Sequence, residues 1–193
     1  MFPDELIKAV EHLQLIISPD KTHDDGRINS NADEASIIAE LKIKYGDNVY
    51  VPPPRHWFDV ELFGYPVNIK SSRMTTPDNV NAKQAMVWTF SDVTSFSTPW
   101  RYFYEALGPG RRDIGRNYYF IILDKTTSKV HLQSLRTLKT LTPNGNNLPF
   151  QVKWADNLAP VQRTSEEAFR FVIDVFKESV RKLRSAHDGF ETL

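Results

Sequence analysis

Residues 56–73, HWFDVELFGYPVNIKSSR, carry two short runs of alternating apolar and polar side chains on either side of Gly64 and Pro66. Alternation at period two is the signature of paired, half-buried strands. In the first run Trp57, Asp59 and Glu61 share one face, while Phe58, Val60 and Leu62 share the other. In the second, Val67 and Ile69 point one way and Asn68 and Lys70 the other. A turn centred between Gly64 and Tyr65 sets Asp59 opposite Lys70 and Glu61 opposite Asn68. Two carboxylates, an amide and an ammonium then share one face of a single hairpin. Holding them together is costly unless that face meets water, a metal ion or a charged ligand.

The sequence before the hairpin reads as two helices. Over residues 3–17, Pro3 suits a first turn, Asp4 and Glu5 suit the positive end of the dipole, and Leu6, Val10, Leu13 and Ile17 recur at helical spacing. Residues 18–31 are polar and loop-like. A second helix is expected from about Asn31 or Asp33 to just before Gly46, with Ile37, Ile38, Leu41 and Tyr45 as a narrow apolar stripe. Glu34 falls within that stripe. It reads either as a dipole-favoured helix start leaning out to water, or as a carboxylate serving the hairpin. Residues 49–51 form a short strand, broken by Pro52, Pro53 and Pro54.

Beyond the hairpin, a polar run is followed by a helix expected to be capped by Asp78, with Asn79, Asn81 and Lys83 on its first turns. Residues 97–107 are helical and aromatic, and a basic loop with Arg111, Arg112 and Arg116 follows. Residues 118–123 (YYFIIL) read as a buried strand, paired with 129–135 across a turn at 124–127. Residues 142–149 (TPNGNNLP) read first as a turn-rich loop and second as a source of adenine-reading amides. Residues 151–154 are a further candidate strand. Residues 164–167 (TSEE) are a capping box opening a helix whose stripe is Phe169, Val172, Ile173, Phe176, Val180 and Leu183, read as core packing.

The fold class is therefore α/β: a mixed central β-sheet flanked by helices. At 193 residues, with 40% hydrophobic and 25% charged side chains, the chain suits one domain spanning 1–193, with its core at about 30–135 and a C-terminal helix at 164–186.

Phe58-Asp59 followed by Asn68-Ile69-Lys70, between a preceding and a following helix, resembles the PD-(D/E)xK nuclease superfamily, which includes most type II restriction endonucleases. The resemblance covers roughly residues 30–90. Phe58 stands in place of the motif's Pro, and Asn68 in place of its second acid. What it implies is a restriction-endonuclease-like core that uses Mg²⁺. Asp59, Asn68 and Lys70 would be catalytic with Glu34, and Asp59, Asn68, Ile69 and Glu61 would form the metal set. Either Glu34 or Glu61 supplies the charge that Asn68 lacks.

Net charge is zero, but its distribution is uneven. Residues 1–62 hold 6 Lys/Arg against 12 Asp/Glu, and residues 101–163 hold 10 against 4. A nuclease needs carboxylates for metal and a basic surface for phosphates. Ser71, Ser72, Arg73, Asn79, Asn81, Lys83, Arg111, Arg112, Arg116, Asn144, Asn146 and Asn147 are the candidate contacts to double-stranded DNA.

With no Cys, thiolate metal sites and disulfides are excluded. No phosphate-binding glycine motif is present, so no nucleotide cofactor is expected. No membrane-length apolar run exists, and a cytoplasmic location is the expectation. The implied activity is sequence-specific cleavage by a homodimer, leaving 5′-phosphate and 3′-hydroxyl ends. A repair or junction-resolving nuclease, or a DNA-binding module without catalysis, is the alternative.

Overall fold

The computed structural model describes residues 2–19, 26–94, 97, 99–108 and 113–188. In chain order the elements are α1 (Asp4–Ile16), α2 (Gly26–Tyr45), β1 (Val49–Tyr50), β2 (Val60–Leu62), β3 (Tyr65–Ser72), β4 (Asp78–Val80) and α3 (Lys83–Phe90). Then come α4 (Trp100–Ala106), β5 (Tyr119–Asp124), β6 (Val130–Ser134), β7 (Thr142–Pro143), β8 (Phe150–Val152) and α5 (Ser165–Asp188). The fold is mixed α/β with two sheets. The chain divides into two compact units, residues 1–76 with 119–134 and residues 77–118 with 135–193.

The first unit is built on a five-stranded mixed sheet in the order β1-β2-β3-β5-β6, in which only β3 and β5 run parallel. Strand β5 is buried at all six positions: Tyr119–Leu123 are the apolar run expected of a central strand, and Asp124 closes it. Leu6, Ala9 and Leu13 of α1 and Ile37 and Leu41 of α2 pack with Val60, Leu62, Val67, Ile69, Ile121 and Leu123 into one core. Burial of aliphatic side chains on this scale is the main stabilising term of such a unit.

Two expectations change here. Helix α2 begins at Gly26, so residues 26–31 are helical and not loop; residues 20–25 lie outside those described. Its buried line is Asn29, Asp33, Ile37 and Leu41, each four residues from the last, whereas Glu34 is half-buried on the flank.

The hairpin register also changes. Val60 pairs with Val67, Glu61 with Pro66 and Leu62 with Tyr65, so Glu61 is not opposite Asn68. Asp59, past the last pair, bonds the Val67 carbonyl and the Ile69 N–H rather than facing Lys70 in the ladder. The turn is Phe63-Gly64, with φ of 54° and 80°, the doubly left-handed conformation that matches strand twist in two-residue hairpins. A phenylalanine is held in this region by its neighbours. Its N–H donates to the Asn48 carbonyl at 2.8 Å, and its ring meets Tyr45 edge-on at 5.0 Å between centroids. A Cβ added at Gly64 would meet nothing within 4 Å, so Gly64→Ala tests backbone conformation alone. It should cost about 1 kcal/mol, read as a lower denaturant midpoint with unchanged slope.

In the second unit, β4, β8 and β7 form a three-stranded antiparallel sheet. Asp78 does not cap a helix: it lies in β4, and its carboxylate accepts the Trp154 indole N–H at 2.7 Å. Helix α3 begins at Lys83 without a side-chain cap. The capping box at α5 is present, with the Thr164 N–H donating to Glu167 at 2.8 Å and the Glu167 N–H to Thr164 Oγ1 at 3.2 Å. The α5 stripe is only partly core. Val172 and Phe176 are buried, while Phe169, Ile173 and Val180 border an open cleft of about 570 Å³ with Phe103, Tyr104 and Leu107. Among the described residues no helix is long and apolar enough to cross a membrane.

Candidate active site

The site-bearing face comes from the shortness of β2. Pairing ends at Val60–Val67, and the Asp59 N–H makes one further bond to the Val67 carbonyl at 3.0 Å. Past that point β3 pairs on one side only, with β5. The Ile69 N–H on the open edge is taken up by the side chain of Asp59, whose Oδ2 accepts it at 2.7 Å. A carboxylate thus replaces the missing strand partner and is held beside Asn68 and Lys70. Burial alternates as the sequence pattern requires: Phe58, Val60, Leu62, Val67 and Ile69 are buried, and Trp57, Asp59, Glu61, Asn68 and Lys70 are half-buried.

Helix α2 adds Glu34 to this group. Burial pushes the Glu34 carboxyl above the usual range, the Asp59 charge pushes it further, and Lys70 draws it partly back. Asp59 is likewise raised, first by burial, with Lys70 and the Ile69 N–H opposing. Lys70 therefore lies close enough to both carboxyls to favour their charged forms, and Asp59 close enough to Glu34 to oppose its charge. Glu61 is not among their causes; it acts instead on His56, whose pKa burial lowers and Glu61 raises.

The Asn68 carbonyl oxygen Oδ1 is buried and has no hydrogen-bond partner among the described residues. An unsatisfied buried acceptor costs about 1–3 kcal/mol, so such a group calls for a missing donor or cation. Ile69 has its side chain in the core at 2% exposure, so only its main chain can serve the site. Among the described residues no three His, Cys, Asp or Glu side chains converge as a metal site. The oxygen set here is two carboxylates and an amide, with main-chain oxygen available, which are the donor types that hard divalent cations take.

Asp33 is the residue the sequence reading passed over. It is 2% exposed, and its Oδ2 accepts the Ser71 hydroxyl, which ties α2 to β3 one residue away from both Glu34 and Lys70. The signal was present: Asp33, Ile37 and Leu41 are spaced by four, and Glu34 is not on that line.

The candidate DNA contacts fare differently from one another. Ser71 is engaged with Asp33, and Ser72 is buried with its hydroxyl accepting the Met74 N–H at 3.0 Å, so neither hydroxyl is presented outward. Arg73 and Asn81 are exposed. Lys83 is half-buried, and burial lowers its pKa. Asn79 and Asn144 come together, with Asn144 Nδ2 3.0 Å from Asn79 Oδ1. Asn146 and Asn147 are exposed, and Asn146 Oδ1 closes its own turn on the Leu148 N–H at 2.7 Å.

Arg111 and Arg112 lie outside the described residues. Arg116 stacks on Trp88 at 4.3 Å from the ring centroid and donates to the Val93 carbonyl at 3.1 Å and the Ser91 carbonyl at 3.4 Å. Its role is to fasten the segment after α3. Arg116→Ala should lower stability by about 1–3 kcal/mol and leave the salt dependence of DNA binding within error of wild type. A flattened salt slope with unchanged thermal midpoint would instead assign it to phosphate. Compared with protein-family models and with curated proteins, the chain matches none.

Proposed function

We propose that this chain is a Mg²⁺-dependent endonuclease of the PD-(D/E)xK type with a restriction-endonuclease-like core, cutting double-stranded DNA as a homodimer. The observation that carries the reading is the orphaned Asn68 Oδ1, on the residue next to the Ile69 N–H that Asp59 holds, together with the charges of Asp59 and Lys70 acting on Glu34. Asp59, Asn68 and the Ile69 main chain would hold the cation, with Glu34 adding negative charge nearby, and the cation would supply Lewis acidity toward the phosphate. Lys70 donates to the attacking water and to the phosphate oxygens as charge builds on them. Glu34, with its raised proton affinity, suits the role of accepting the proton that the water releases. Inversion at phosphorus then leaves a 5′-phosphate and a 3′-hydroxyl.

Incubating supercoiled plasmid with the protein tests this. Discrete fragments are expected with Mg²⁺ and none with EDTA. Structure-dependent nicking in place of discrete fragments would identify a junction or repair nuclease. A mobility shift without any cut would leave a DNA-binding module.

A further inference from the structure

The exposed surface of the three-stranded sheet carries three amides joined at one atom. Asn79 on β4 and Gln151 on β8 are directly opposed partners in the ladder, and Asn144 follows β7. Asn79 Oδ1 accepts from Asn144 Nδ2 at 3.0 Å and from Gln151 Nε2 at 3.1 Å. A carbonyl oxygen offers two lone pairs, so this atom is saturated, and the orientation of all three amides follows. Asn79 is left with N–H donors only. Asn144 and Gln151 each retain one carbonyl and one N–H on a single planar group, with no partner for either among the described residues.

The mount is stiff. The Asn144 N–H donates to the Pro149 carbonyl at 2.9 Å and lies 3.3 Å from Ser179 Oγ, a hydroxyl 2% exposed on α5. The neighbouring Gly145 packs so closely on Lys182 that an added Cβ would lie 3.0 Å from the lysine Cβ. Lys182 is exposed and donates to the Pro143 carbonyl at 3.3 Å, so a cation borders the cluster.

An amide that presents a carbonyl and an N–H side by side is the complement of the N6 amino group and N7 of adenine in the major groove. Fixing the amides in advance removes part of the ordering cost of binding, and the adjacent cation suits a phosphate, which positions without specifying. We infer that Asn144 and Gln151 read adenine in duplex DNA and that Asn79 is a positioning residue that orients them. The inference rests on the reading of this chain as a DNA-acting protein and names what part of the DNA it recognises.

Selection tests it, using the full-length protein with Ca²⁺ in place of Mg²⁺ and a randomised duplex library whose bound fraction is sequenced. Wild type is expected to fix adenine at one position or more, by about tenfold over the other bases. Asn144→Ala or Gln151→Ala should abolish one such preference while total binding to random DNA stays within about threefold. Asn79→Ala should weaken both preferences, whereas Asn79→Asp, which keeps the acceptor, should retain them. As a check that leaves the protein untouched, 7-deazaadenine at the selected position, which lacks N7, should weaken wild-type binding by about tenfold and leave the matching variant unaffected. Absence of any adenine preference, or a preference that survives both reader variants, overturns the inference. A wild type that cuts plasmid without adenine preference sinks this inference alone. One that selects adenine and never cuts sinks the nuclease reading alone.

Discussion

Lys70→Ala is expected to reduce Mg²⁺-dependent cleavage by about a thousandfold while DNA affinity changes by less than about tenfold. The asymmetry follows from where the ammonium sits. It is half-buried on the site face, close enough to Asp59 and Glu34 to alter both of their proton affinities. Loss of a single preorganised donor to developing charge costs about 100- to 1000-fold, and here the attacking water loses its orientation as well. Binding, in contrast, sums many phosphate contacts, of which Lys70 is at most one. Single-turnover cleavage and gel-shift titration on the same duplex separate the two quantities. Near-normal cutting by the variant would dismiss the active-site assignment outright.

Asp59→Asn should abolish cleavage and at the same time raise the thermal midpoint at neutral pH. The sign comes from the raised carboxyl pKa. The folded state holds the Asp59 proton more tightly than the unfolded state does, so the charged form costs stability once pH exceeds the folded-state pKa. That cost is absent below the unfolded-state pKa, appears as pH rises between the two values, and is removed at neutral pH by the neutral amide. Asparagine keeps an oxygen for the Ile69 N–H, so the edge of β3 stays satisfied.

Mg²⁺ should raise the midpoint of wild type and leave that of the variant unchanged, since a ligand stabilises only the state that binds it. Glu34→Gln should behave in the same direction and raise the Mg²⁺ requirement for cutting. Glu61→Gln, paired with Pro66 and coupled to His56, should leave that requirement close to wild type. Because both site carboxyls are raised without the cation, protons should compete with Mg²⁺, so at limiting Mg²⁺ the acid limb of cleavage should lie above the ordinary carboxylate range and move down as Mg²⁺ is raised. A midpoint that falls in Asp59→Asn would show that the carboxylate is structural.

Much of the fold was legible in the chain. The alternation from Trp57 to Lys70 fixed which side chains share a face. The run Tyr118–Leu123 read as a buried strand, and the spacing of Leu6 and Leu13 and the TSEE box marked the first and last helices. These signals are local, and each element's own pattern carries them. The register was not legible. A slip of two residues leaves every side chain on its face, so a period-two pattern cannot detect it. The turn that sets it places Phe63 in a left-handed conformation through Tyr45 and Asn48, contacts no local propensity encodes.

The same reason separates the rest. Asp78 has the composition of a helix cap, yet it pairs with Val152 in a sheet formed across more than seventy residues and bonds Trp154. Asp33 and Glu34 are adjacent acids, and packing of α2 on β3 sends the first to Ser71 and the second toward Asp59 and Lys70. Sequence alone determined which residue types share each face of the hairpin. Tertiary packing decided which of them meet, because the contacts that choose between equivalent local patterns join residues far apart in the chain.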